Sequence, residues 1–158
     1  VTWYGRGPHE NYIDRKSSAF VGIYESNIDD LGFEYSRPQE NGYRTDVRWF
    51  NVLDEDNYGF AIFGDPLISF SAHYNTIEDF DDGLMPQKPG ENLGSRKRIV
   101  KKQRKPVDLV KRDFISLNID LKQMGVGGDN SWGARTLKKY TIYPGNYSYQ
   151  FTVKPISF

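Results

Sequence analysis

At 158 residues and 18.3 kDa, the chain is long enough for one domain with a real core and does not demand a second. Its 21 basic and 21 acidic residues cancel to a formal net charge of zero, which removes the global field that would draw a protein to nucleic acid or an anionic membrane. The absence of cysteine excludes disulfides, thiolate nucleophiles and Cys-ligated zinc together, and leaves the redox compartment open.

Residues 3–15 (WYGRGPHENYIDR) are dense in aromatic, charged and turn-forming side chains. The Gly5-Arg6-Gly7-Pro8 turn lacks the glycine spacing and the following amphipathic helix of a dinucleotide loop. Arg6, Glu10, Asp14 and Arg15 are expected to form one buried ionic network that holds a loop, a structural role rather than a ligand contact. Residues 18–24 (SAFVGIY) read as a short buried strand. Asn41-Gly42 is a turn signal, and residues 44–53 (RTDVRWFNVL) read as a long strand with Val47, Trp49 and Leu53 on one parity and Asp46, Arg48 and Phe50 on the other. Residues 58–63 and 67–74 form an expected strand pair divided by Gly64-Asp65-Pro66; the second sets Ile68, Phe70, Ala72 and Tyr74 against Ser69, Ser71 and His73.

Residues 76–82 suit a single helical turn, acidic at its start. Residues 96–105 (RKRIVKKQRK) hold seven basic residues. Set between PQKPGENLGS and Pro106, they read as a solvated edge or loop rather than a phosphate-binding tract, within a variable basic insertion at 84–106. Residues 114–121 (FISLNIDL) alternate most cleanly, with Ile115, Leu117, Ile119 and Leu121 on one face. Residues 137–143 and 147–153, joined by Pro144-Gly145-Asn146, look like a closing hairpin. With aromatics at 15%, many turns and almost no helical pattern, the expected class is all-β: an antiparallel β-sandwich in a single domain, 1–158. No apolar run is long enough for a membrane span and VTWYGRGPHE has no signal-peptide pattern, so a soluble chain of unassigned compartment is expected.

Self-contained catalytic chemistry finds little material. His9 and His73 are the only histidines and stand in no short-spaced ligand pattern, so no metal site is expected; Asp120, Asp129 and Asn130 lack the regular spacing of a calcium loop. There is no GxSxG elbow, and Ser131 has no base near it in sequence. A glycosidase needs two acids at a defined separation, and the sequence singles out no such pair; Glu78, Asp79, Asp81 and Asp82 suit a solvated acidic face. MGVGGDNSW, residues 124–132, differs in kind. Gly125, Gly127 and Gly128 permit positive φ and close backbone approach, and Asp129, Asn130 and Ser131 can cap the turn. Trp132 at its end suits either a core anchor or an indole face offered to a sugar ring.

Three motifs in order, WYGRGPHENYIDR, ENGYR and MGVGGDNSW, resemble the C-terminal part of the β-galactosidases of glycoside hydrolase family 2 over nearly the whole chain. The resemblance implies a fragment of a retaining enzyme that hydrolyses terminal β-D-galactosides, folded as the later part of a galactose mutarotase-like β-sandwich. Both catalytic glutamates, and the ligands of the magnesium and sodium that family often uses, would then lie outside this chain, which alone would be inactive. It also implies that Trp132, supported by Asp129, Asn130 and Ser131, forms a wall of the substrate pocket. The implied partners are the catalytic barrel and other domains of the same enzyme and the galactoside itself, with self-association of the isolated fragment through unpaired edges. An autonomous carbohydrate-binding module and a mutarotase-like epimerase are the competing readings. Sugar titration and anomerisation assays of the isolated chain separate them.

Overall fold

A strand long enough to meet different neighbours at its two ends organises the chain. The computed structural model describes residues 1–36, 38–80, 105–128 and 133–157. Among these, β1 (Thr2–Gly7), β2 (Phe20–Glu25), β3 (Arg44–Leu53), β4 (Tyr58–His73), β5 (Ser116–Asp120) and β6 (Gln150–Ser157) form one six-stranded sheet. Its order is β2-β1-β3-β4-β5, β6 also pairs with β4, and every pairing is antiparallel. Helix is confined to single turns: α1 (Ile28–Leu31), α2 (Ile77–Phe80) and 3-10 turns at Pro106–Asp108 and Lys138–Tyr140. The class is therefore all-β and antiparallel, in keeping with a sandwich. Most of the basic insertion, with its tract at 96–104, lies outside the described residues.

Where two strands are expected around Gly64-Asp65-Pro66, β4 runs through unbroken. β6 pairs with it only as far as Asp65, β5 begins at Ser69, and the β3 ladder passes from Phe63 to Ile68. Pro66, which has no N–H to give, falls in the gap between these ladders. The expected closing hairpin does not form. Residues 138–140 make a 3-10 turn, and β6 starts later than expected and pairs with β4. β1 goes unrecognised in the sequence because Gly5 and Gly7 are poor strand formers, yet a Cβ on Gly5 would stand 2.7 Å from Val47 Cγ2.

β3 spans the residues expected, but its register shifts on either side of Val47. That irregularity turns both Val47 and Phe50, read as opposite in parity, into the core, where each is fully buried. They join Trp3, Leu31, Ile62, Ile68, Phe70 and Ala72, with Leu117 and Ile119 of β5 packed at the margin. Phe50 and Phe70 stack with centroids 4.3 Å apart, and Trp3 meets Phe70 edge-on at 6.2 Å. Each such side chain contributes about 1.5–3 kcal/mol through burial. On the opposite face a cross-strand row, Ile23, Tyr4, Trp49 and Phe63, runs over β2, β1, β3 and β4. Ile23 is 67% exposed, Arg48 lies over the Tyr4 ring and Lys154 over that of Phe63.

Candidate functional site

β1 delivers the chain at Gly7-Pro8 into a turn that carries Glu10, Asn11 and Asp14 beside the start of β3. Glu10 is buried, 6% exposed, and each carboxylate oxygen accepts two hydrogen bonds. Oε1 accepts from Arg15 Nη1 at 3.0 Å and from the Tyr35 hydroxyl; Oε2 accepts from the Gly42 N–H at 2.8 Å and the Tyr12 hydroxyl at 3.1 Å. Burial pushes the carboxyl up, but the bonds from Tyr35, Gly42, Tyr12 and Arg15 outweigh it and hold Glu10 below its ordinary range. Asn11, fully buried, gives its N–H to Tyr43 O at 2.8 Å and accepts from the Thr45 N–H at 3.0 Å and hydroxyl at 2.6 Å. The ENY of the first motif is thus stitched to the NGYR of the second.

Gly42 sits at φ +76°, and a Cβ there would meet His73 Cε1 at 2.7 Å, so the turn signal at Asn41-Gly42 reflects a real backbone demand. His73 bonds through Nε2 to Asn41 O at 2.8 Å; its burial pushes the imidazole below its ordinary value. Arg44, 2% exposed, donates to Leu31 O and Gly42 O at 2.8 Å and to Pro8 O at 2.9 Å, and lies over the Trp3 ring at 5.2 Å. Burial pushes this guanidinium down to about 10, so it remains charged near neutrality. Three carbonyls and an indole face replace the water the cation loses.

The expected single network of Arg6, Glu10, Asp14 and Arg15 separates into distinct sets. Arg6 pairs through Nε with Asp46 at 2.5 Å, shared with Lys16 at 2.9 Å, while its Nη1 donates to Ala19 O and Lys16 O. Arg15 alone pairs with Glu10. Asp14 turns to the third motif: Oδ1 accepts from the Val126 N–H at 3.1 Å, and Oδ2 from the Gly127 N–H at 2.7 Å and the Thr136 hydroxyl at 3.3 Å. Gly125 also donates its N–H to Tyr140 O at 2.9 Å. Gly125, Gly127 and Gly128 do not use positive φ. They allow close approach: a Cβ would lie 2.5 Å from Thr136 Oγ1 at Gly125, 3.2 Å from Asp14 Oδ2 at Gly127 and 2.3 Å from Ala134 O at Gly128. Asp129, Asn130, Ser131 and Trp132 lie outside the described residues.

Beside Glu10 a cleft of about 590 Å³ opens between Trp3, Arg15, Arg44, Phe33 and Tyr35. The first motif thus touches both of the others, the second through Glu10 and Asn11 and the third through Asp14, although they are far apart in sequence. The sequence model of the family described as "Beta galactosidase small chain" matches residues 1–153. The chain belongs to that family. Among curated relatives of this small chain, it is 38% identical to a protein named Beta-galactosidase from Priestia megaterium, over 99% of this chain and 13% of that protein. It is 34% identical to a Beta-galactosidase of Vibrio cholerae over 98% of this chain and 12% of that protein, and 31% identical to one from Pseudoalteromonas haloplanktis over 97% and 12%. The chain thus spans about an eighth of the length of these relatives.

Tyr35 and Thr136 complete this small-chain junction and were not singled out from sequence, whereas Arg44 entered only as the last residue of the ENGYR motif. Arg44 carried a local signal, a cation two residues after the Asn-Gly pair and at the head of a strand. Among the described residues, no group of three or more His, Asp or Glu is placed to hold a metal ion, and no helix is long and apolar enough to cross a membrane.

Proposed function

We propose that this small chain is part of a retaining β-galactosidase that hydrolyses terminal β-D-galactosides, with the catalytic glutamates in a barrel elsewhere in the same protein. Trp132 is assigned to the wall of the galactoside pocket, and the chain alone is assigned no turnover. The observation that carries the reading is the convergence of the three family motifs: Glu10 bonds to Gly42, and Asp14 bonds to the backbone that leads into GGDNSW. Asp14 ties the base of the loop to a distant segment that is itself pinned to the second motif, which suits a loop that must present a side chain in a set place. The row of exposed Ile23, Tyr4 and Phe63 with half-buried Trp49 supplies a face on which the rest of the enzyme packs.

The test is Trp132→Ala in the full-length protein. A rise in KM for galactosides, with kcat less affected, is expected if the indole contributes to binding. Unchanged kinetics across several galactosides would refute the assignment of Trp132.

A further inference from the structure

The carboxylate of Asp14 stands inside the curve of residues 125–127 and bonds to both strands of that loop: main-chain N–H groups of Val126 and Gly127 on one arm, the Thr136 hydroxyl on the other. The closeness of fit accounts for the glycine spacing. A Cβ on Gly125 would lie 2.7 Å from Asp14 Oδ2 as well as 2.5 Å from Thr136 Oγ1, so the backbone there is packed on the carboxylate with no room for a side chain at 125. The arms also converge beyond it, where Gly128 meets the Ala134 backbone. Bonds from N–H groups to an ionised acceptor are short, directional and stronger than neutral ones. They hold a loop in place better than apolar contact does.

We propose that Asp14 is a positioning residue for galactoside binding, acting through the loop it clasps rather than by touching substrate. The inference rests on the assignment of Trp132 to the galactoside pocket. Asp14 lies 113 positions before Gly127 and binds the loop base five residues ahead of Trp132, so it sets where the arm carrying that indole begins. A small displacement of a binding group is costly when the contact is a ring face against a sugar face.

The experiment compares Asp14→Ala, Trp132→Ala and the double variant in the full-length protein, reading kcat and KM separately with a chromogenic galactoside. Asp14→Ala is expected to raise KM on the order of tenfold with kcat less affected, and the double variant to match Trp132→Ala rather than the product of the two effects. Asp14→Asn, which keeps the shape and one acceptor oxygen, is expected to fall between wild type and Asp14→Ala. It carries the same comparison if Asp14→Ala does not fold. If Trp132→Ala raises KM and Asp14→Ala leaves it unchanged, or if the two effects multiply, the positioning role is overturned while the pocket assignment stands. If Trp132→Ala has no effect, the pocket assignment falls and this inference falls with it.

Discussion

Replacing Glu10 by Gln tests whether the junction is held by a charge or merely by shape. The carboxylate takes four donors, two on each oxygen, and an amide can accept from only one pair of them. The Gly42 N–H is main chain and cannot turn away, whereas Arg15 has a side chain 57% exposed and can find water. The amide oxygen will therefore face Gly42 and Tyr12, and its NH₂ will face Arg15 and Tyr35. The Arg15 bond is lost, the Tyr35 bond survives only by reversing so that its hydroxyl accepts, and the other two weaken from charge-assisted to neutral, a cost of about 2–4 kcal/mol. Arg15→Ala removes an exposed partner and leaves three donors on the carboxylate, so it should cost about 1 kcal/mol or less. The readout is hydrogen exchange of residues 41–45, which reports local opening without requiring the whole protein to unfold in one step. Exchange there should accelerate on the order of a hundredfold in Glu10→Gln and far less in Arg15→Ala. Equal effects in the two variants, or none in Glu10→Gln, would refute the reasoning. The pH dependence has a definite sign. Because the folded carboxyl titrates below its unfolded value, its stabilisation is full above the ordinary carboxylate range and is lost as pH falls through the lowered one. Glu10→Gln should remove that part of the acid sensitivity.

Asp79 should make a second, separate contribution to acid sensitivity. Arg112, bonded to it at 2.5 and 2.9 Å, holds its carboxyl down to about 2, so the stabilisation is present above the unfolded value and disappears as pH falls from there towards 2. In Asp79→Asn the exchange of residues 74–80 should lose that pH dependence; an unaltered profile would exclude the pair as its source. For the chain in isolation, the exposed row on β2, β1, β3 and β4 should drive self-association in sedimentation experiments, and Ile23→Lys with Phe63→Lys should reverse it. A monomer with one cooperative unfolding transition would contradict this.

The strands that alternate cleanly were legible because period two records which face is buried. Residues 116–120 and 68–73 are strands as their patterns indicated, although Ser69, Ser71 and His73 on the polar parity are buried too, and β3 has the bounds expected. What failed depends on partners. The parity of Val47 and Phe50 was misread because an irregular register is set by how β3 meets β4, not by β3 alone. Gly5 hides β1 from any propensity argument, since the reason for that glycine is Val47 on another strand. The expected hairpin at 137–153 had turn residues in the right place, but the Tyr140 carbonyl serves the Gly125 N–H and β6 finds β4 instead.

The same distinction governs the site. Charged residues crowded in one short segment invite the idea that they bind each other, and for Arg15 and Glu10 they do. Arg6 instead reaches Asp46, and Asp14 reaches the loop at 125–127, because a turn that places donors and acceptors on its rim exposes them to other segments more than to one another. A glycine-rich loop then has two possible causes, a backbone that needs positive φ or a neighbour that leaves no room for Cβ, and sequence alone does not separate them. Here the neighbour is the cause: Gly125 and Gly127 answer a carboxylate more than a hundred positions earlier, and Gly128 the Ala134 backbone, so the first and third motifs are two halves of one contact. If so, substituting Gly125 and substituting Asp14 disturb the same contact, which makes the meaning of MGVGGDNSW a property of the pair rather than of the loop.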